Sequence, residues 1–170
     1  GIYTNVEKDP DLAITKRVIA ALQNRNIGFC LDDEVAAVFG PCTLCKDSQV
    51  EMLIVLGGDG TMLAAARKYA SSGALLFGLN LGRLGFLLDA DLATFEETLD
   101  EIIAGEYEVQ ERIMLQAEIV DASGHSVYCY CGLNDAVISQ RNVRVIELKA
   151  YVSGDLAYHV RCDGVIISTP

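Results

Sequence analysis

The spacing of apolar residues changes after residue 105, and the change predicts two kinds of architecture in one chain. Before that point, short apolar runs alternate with segments of helical period. Residues 1–4 read as a strand. Asp9 followed by Pro10 marks a helix start with proline at the first helical position, and Leu12, Val18, Ile19 and Leu22 then recur at helical spacing. Residues 27–31 read as a short strand, 32–39 as a short helix and 40–49 as a loop. Residues 52–56 are wholly apolar and run into Gly57-Gly58-Asp59-Gly60-Thr61, after which Met62, Leu63, Ala66 and Tyr69 predict a helix. Residues 74–79 form another buried strand, and Thr94 with Glu97 predicts a capping box that opens a helix to about Ala104. Strands separated by helices in this order imply a parallel sheet covered on both faces.

Beyond Gly105 the period falls to two. Val109, Glu111, Ile113, Leu115, Ala117 and Ile119 lie on one alternation, Asp121 to Gly124 turn the chain, and strand-like runs follow at 127–131, 136–139, 143–152 and 156–162. Ser153-Gly154-Asp155 reads as a hairpin turn. The expected fold is therefore α/β plus all-β: a doubly wound parallel-sheet domain at 1–105, then a β-rich domain at 106–170. The second domain reads as incomplete, because its last apolar run, 164–170, has no following strand with which to form a hairpin.

Composition narrows the function. The chain of 170 residues is 51% hydrophobic and 22% charged, enough for a real core without staples. Thirteen basic against 24 acidic residues give a net charge of -11, which argues against nucleic-acid and anionic membrane partners, since both are held through basic side chains. A small anion held by glycine amides remains compatible with that charge. Without a signal-like opening or an apolar span, the expectation is a soluble, cytoplasmic protein whose six cysteines are reduced. Cys42 and Cys45 form a C-x-x-C and Cys129 and Cys131 a C-x-C, but no complete four-ligand spacing occurs, and no structural metal is expected. His125 reads as solvated, His159 as a strand surface residue, and the acidic residues of 94–106 as an exposed helix face.

The chemistry centres on Gly57 to Thr61, at the carboxyl end of a buried strand where open α/β sheets bind ligands. Gly57, Gly58 and Gly60 let the backbone approach a phosphate, and the following helix N-terminus adds partial positive charge. Asp59 needs another explanation. Beside a phosphate it would hold a metal, accept a ribose hydroxyl or take a proton from an attacking hydroxyl; otherwise it is solvated in a tight turn capped by Thr61. Neither the G-x-x-x-x-G-K-[ST] pattern nor the dinucleotide fingerprint is present, the latter failing at Leu63.

Four segments in register now resemble the NAD kinase family. They are the glycine turn, Asn80-Leu81-Gly82-Arg83-Leu84-Gly85-Phe86-Leu87, Leu133-Asn134-Asp135, and the run from Arg161 through Asp163 to Ser168-Thr169-Pro170. The turn alone is shared with diacylglycerol, sphingosine and, loosely, phosphofructokinases. The resemblance implies transfer of the terminal phosphate of ATP, or polyphosphate, to the 2'-hydroxyl of the adenosine ribose of NAD, with Mg2+ or another divalent cation on the phosphates. It implies Asp59 as proton acceptor, with Gly57, Gly58, Gly60 and Thr61 in the same turn. It further implies Asn134 and Asp135 on the NAD adenosine, Asp163 on the other ribose, Arg161 and Arg144 as polar or basic positions near the ligand, and Phe86 either in the pocket wall or in the core. A homo-oligomer is also implied. Family members continue past Ser-Thr-Pro, so a polypeptide ending at Pro170 is expected not to complete the reaction. The rival readings are a lipid kinase of the diacylglycerol kinase type, which gives no reason for Asn134-Asp135 or for 161–169, and a non-catalytic nucleotide-binding fragment.

Overall fold

The computed structural model describes residues 1–47, 49–82, 85–88, 90–140 and 145–170, and these divide into two compact units, Gly1–Glu111 and Arg112–Pro170. The division falls a few residues past the expected boundary, because the segment after the last helix stays with the first unit; Tyr107 lines a cavity there.

Unit 1 is built on four parallel strands, β1 (Ile2–Thr4), β2 (Met52–Gly57), β3 (Leu75–Asn80) and β4 (Ala90–Asp91), in the order β1-β2-β3-β4. Outside β1 the sheet continues as single parallel bridges, Ile2 with Leu31 and Leu31 with Leu44. The chain therefore steps outward from β1 in one direction through Leu31 and Leu44, then returns to the other side of β1 with β2. That reversal makes the sheet doubly wound and puts its switch point between the carboxyl ends of β1 and β2. β2 lies between two strands, which is why it can be apolar throughout: Leu53, Val55 and Leu56 are fully buried. Helices α1 (Ala13–Asn24) and α4 (Phe95–Ala104) contribute Val18, Leu22, Phe95 and Leu99 to a core with Ile2, Ile54 and Leu56, and Val35 of α2 (Asp33–Phe39) joins them. The alternate residues Leu53 and Val55 pack with Met62 and Ala65 of α3 (Asp59–Tyr69), so both faces are covered, as expected. No helix among the described residues is long and apolar enough to cross a membrane.

Several local expectations give way. The first helix begins at Ala13, not at Pro10, because Leu12 takes a left-handed conformation (φ 51°). Asp9 still caps it from a distance: its buried carboxylate accepts the Ile14 amide (3.2 Å), the Thr15 amide (2.8 Å) and the Thr15 hydroxyl (2.8 Å). The strand expected at 27–31 reduces to the bridge at Leu31, and the loop at 40–49 contains a 3-10 turn, Cys45–Asp47. The capping box at Thr94 does not form; Asp91 instead accepts the Ala93 amide (2.8 Å) and the Thr94 amide (3.1 Å), which hold its carboxyl below the usual range.

Unit 2 is three antiparallel two-stranded ladders: β5 (Leu115–Val120) with β6 (Ser126–Gly132), β7 (Asp135–Ser139) with β10 (Gly164–Ser168), and β8 (Ile146–Val152) with β9 (Asp155–Cys162). The alternation from Val109 becomes strand only at Leu115. The last apolar run is not unpaired as expected: it returns beside β7, with Gly164 opposite Ser139 and Ser168 opposite Asp135. Ser153 and Gly154 make the β8–β9 turn with positive φ at both positions (53° and 93°).

The Asp9 carboxylate gives the fold its most direct test. Asp9→Ala leaves two helix amides and a buried hydroxyl without their acceptor, so urea unfolding should show a loss of about 1–3 kcal/mol. An unchanged midpoint would mean that α1 is capped by something else.

Candidate active site

The glycine turn is where β2 becomes α3 with no intervening loop: β2 ends at Gly57, Gly58 is extended, and Asp59 is the first helical residue. Thr61 is therefore not the helix cap. It lies inside the first turn, buried, and its hydroxyl oxygen accepts the Gly58 amide (3.3 Å) and the Asn5 side-chain amide (3.4 Å). A side chain at Gly57 would overlap Thr61, so glycine is required there for close approach. The first-turn amides of α3 are those that a helix leaves without internal partners, and they carry its positive end.

Asp59 points away from that end of the turn. Its carboxylate accepts the Phe86 amide (3.0 Å) and the Leu87 amide (3.1 Å), which joins the glycine turn to the Gly85-Phe86-Leu87 segment. The junction is tight enough that a β-carbon at Gly85 would overlap the carboxylate. Asn80 closes the other end of this segment: its side chain exchanges hydrogen bonds with the Gly82 amide (3.0 Å) and the Gly82 carbonyl (3.2 Å), while the Leu81 amide donates to the Gly57 carbonyl (2.9 Å). Phe86 is 96% exposed, so the core reading of this residue is corrected. Its peptide is fixed while its ring projects into solvent.

The switch point holds a crevice of about 220 Å³ lined by Tyr3, Asn5, Glu7, Glu34, Gly60 and Thr61. Asn5 follows β1 directly, and its side-chain oxygen accepts the Glu7 amide (3.0 Å) and the Lys8 amide (3.2 Å). The bend turns Lys8 back over the glycine turn, where its ammonium lies 2.9 Å from the position a Gly58 β-carbon would occupy. Burial, and then the charges of Glu34 and Asp32, push the Tyr3 hydroxyl up, so it stays a protonated donor at neutral pH. Asn5 and Lys8 were not singled out from sequence; a polar residue directly after the first apolar strand was the available signal.

In unit 2 the residues of interest sit on backbone ladders. Asp135 begins β7 opposite Ser168, and the neighbouring Asn134 carbonyl accepts the Thr169 amide (2.8 Å) and hydroxyl (3.2 Å). Asp163 is at the other end of the same ladder, where its carbonyl accepts the Gln140 amide (3.0 Å) and its carboxylate the Gln140 side chain (3.3 Å). Five residues of strand separate Asp135 from Gln140, roughly 17 Å. The ladder thus spaces the two carboxylates apart without gathering them. Arg161 lies on β9 opposite Glu147, whose carboxylate also meets His159 (2.7 Å), and His159 is a strand surface residue, as expected. Arg144 lies outside the described residues.

Cys42 and Cys45 do not act as a pair. Cys42 packs against the α1 side of the sheet and Cys45 is buried on the α3 side. Among the described residues, no three or more His, Cys, Asp or Glu side chains are arranged so that they could hold a metal ion.

The Asp59 latch is open to test by amide exchange. Gly85→Ala displaces a carboxylate that holds two amides, and hydrogen bonds to charged groups contribute about 1.5–3 kcal/mol each. Exchange at Phe86 and Leu87 should accelerate at least about tenfold while the core strands stay protected; unchanged exchange at both would disprove the latch.

Comparison with known proteins adds sequence and fold similarity. Residues 41–107 match the family model described as the ATP-NAD kinase N-terminal domain. The chain is 34% identical to an NAD kinase of Heliobacterium modesticaldum, over 100% of this chain and 62% of the relative. It is 37% identical to an NAD kinase of a Thermoanaerobacter species, again over 100% of this chain and 62% of the relative. The chain thus spans less than two thirds of the length of the curated relatives it matches. Two solved structures share the fold. Yeast NADH kinase in complex with NADH superposes with a TM-score of 0.76 at 18% identity, over 98% of this chain and 56% of that one. An Archaeoglobus fulgidus NAD kinase in complex with ATP gives 0.59 at 24%, over 92% and 56%. With the glycine turn at the switch point, sequence similarity to NAD kinases runs the length of both units.

Proposed function

We propose that the protein transfers the terminal phosphate of ATP to the 2'-hydroxyl of the adenosine ribose of NAD, giving NADP. The observation that carries this reading is the junction at Asp59, where the glycine turn and the Gly85-Phe86-Leu87 segment, both shared with the family, are held together at the carboxyl end of the sheet. The solved relatives named for NADH and for ATP support nucleotides of both kinds as ligands.

In this reading the first-turn amides of α3 receive phosphate oxygens, and Lys8 over Gly58 adds a positive charge that offsets the net charge of the chain. Asp59 uses one acceptor position on each oxygen for the Phe86 and Leu87 amides. An ionised carboxylate has about four such positions, so capacity remains to accept the proton of the attacking hydroxyl. The two amides fix its direction, which is what a proton acceptor needs. A divalent cation brought in with ATP would supply charge neutralisation as the phosphoryl group moves. Asn134 and Asp135 are assigned to the adenosine portion of NAD, Asp163 to its other ribose, and Arg161 and Arg144 to charge near the ligand, all on the strength of the family resemblance. A homo-oligomer and a cytoplasmic location belong to the same proposal.

The lipid kinase reading shares only the glycine turn and leaves the similarity of unit 2 to NAD kinases without a reason. Assay of the full-length protein with ATP or polyphosphate as donor and NAD, NADH or diacylglycerol as acceptor tests the proposal: NADP or NADPH formation is expected, and lipid phosphorylation alone would replace it.

Two substitutions in that protein test the residue roles. Asp59→Asn should lower turnover about a hundredfold or more with the fold retained; turnover within a few-fold of the parent would remove Asp59 as proton acceptor. Asn134→Ala should weaken NAD binding by about 1–3 kcal/mol and ATP binding by less. Equal losses for both ligands in calorimetric titration would take Asn134 off the NAD side.

A further inference from the structure

Two thiols that the proposed reaction does not use meet inside unit 1. Cys30 and Cys45 are separated by a helix in sequence, yet their sulfurs lie 2.9 Å apart. The backbone holds them there from both sides: the Leu31 amide donates to the Thr43 carbonyl and the Cys45 amide to the Leu31 carbonyl, each at 2.9 Å. In this parallel arrangement Cys45 runs beside Asp32, and the alternation of side chains puts Cys30, Asp32 and Cys45 on one face. Both thiols are buried, at 6% and 3% exposure, among Leu53, Val55 and Met62. A disulfide sulfur pair is about 2.05 Å apart, so bond formation asks the two sulfurs to approach by about 0.9 Å.

Cys30 is among the residues that line a cavity of about 600 Å³ whose other walls include Phe29, Val50, Met52 and Tyr107, and Gly1, where an added β-carbon would lie 2.9 Å from the Cys45 sulfur, lines it too. Burial followed by its hydrogen bond to Cys30 pushes the Cys45 thiol up to about 12, so it keeps its proton. This cavity is the approach a small neutral oxidant has to the pair.

We propose that Cys30 and Cys45 form an oxidisable dithiol, a modification site that a small hydroperoxide converts to a disulfide. The Cys30 thiolate attacks the peroxide, the O–O bond breaks, and the departing hydroxide recovers the thiol proton as water, leaving a sulfenic acid on Cys30. The Cys45 sulfur then attacks the Cys30 sulfur, the S–O bond breaks, and the hydroxyl leaves with the Cys45 proton as a second water. Two thiols and one hydrogen peroxide give one disulfide and two waters, with two electrons passing from sulfur to peroxide. The cross-link closes a loop around α2, and a dithiol reductant reverses it.

The test treats the protein with one equivalent of hydrogen peroxide, blocks free thiols with N-ethylmaleimide and maps the peptides. A Cys30–Cys45 peptide should dominate over links involving Cys42, Cys129, Cys131 or Cys162. It should survive in Cys42→Ser, vanish in Cys30→Ala and revert with dithiothreitol. The oxidised wild-type protein should also melt several degrees higher than the reduced form. The mapping on wild-type protein stands whether or not a variant folds. Full alkylation of Cys30 and Cys45 after peroxide treatment and denaturation, or links spread evenly over the cysteines, would overturn the proposal. Neither result bears on the kinase reading.

Discussion

The candidate active site depends on where one negative charge finds its compensation. Asp59 brings a carboxylate to the first residue of α3, beside the glycine turn. It takes two peptide N–H groups from residues 86 and 87, so its charge is met by fixed dipoles on one side and by the positive end of α3 on the other. The constraint runs outward from there. It demands glycine at position 85, because a side chain would occupy the volume of the carboxylate. It also leaves Phe86 with a fixed peptide and a free ring, an arrangement suited to meeting a ligand and useless for filling a core.

The sheet supplies the second half of the geometry. β1 and β2 run side by side and part at their carboxyl ends, where Asn5 follows one and the glycine turn the other. Asn5 ties the two ends across that point, its amide donating to the Leu56 carbonyl (2.9 Å) and its side chain to the Thr61 hydroxyl (3.4 Å), and Thr61 in turn holds the Gly58 amide. The far end of α3 is anchored as firmly. Tyr69 donates to Asp32 (2.7 Å), Lys68 pairs with the same carboxylate (2.7 Å), and Asp32 also caps α2 through the Glu34 amide (3.2 Å). One buried carboxylate therefore fixes the end of α3 and the start of α2, and neither end of α3 is left to its intrinsic helix propensity.

What was legible from sequence was local and periodic. β2, α3 and β3 follow from apolar runs that end in glycine or asparagine, and the glycine turn announced its own site because three glycines and a carboxylate between strand and helix have few other uses. Misreadings occurred where the deciding partner is distant in sequence. Asp9 looked like an adjacent cap, but Leu12 interrupts the helix and the carboxylate reaches past it. Thr94 and Glu97 have capping-box spacing, yet Asp91 already takes the Thr94 amide that the Glu97 side chain would serve, and the Thr94 hydroxyl with it. The final apolar run lacked a following strand, and its partner is β7, some thirty residues earlier. The same limit hid Asn5, Lys8 and the approach of Cys30 to Cys45, each of which depends on which strands become neighbours.

The two units place their candidate side chains by different means. In unit 1, Asp59, Asn5 and Thr61 hang on strands and a helix whose opposite faces are packed, so their positions follow from burial. In unit 2 the strands expose large apolar side chains such as Tyr128, Tyr130, Ile138 and Ile166, and two-stranded ladders bury too little to be rigid in water on their own. There the positions of Asn134, Asp135 and Asp163 follow from backbone hydrogen bonds at the two ends of one ladder, with Gly164 admitted against the Ile138 carbonyl because it lacks a side chain. Backbone register fixes spacing along a strand well and side-chain direction less well. At the glycine turn, packing and hydrogen bonding act together on the same side chains, whereas Asn134, Asp135 and Asp163 are positioned by their separation along β7 and β10.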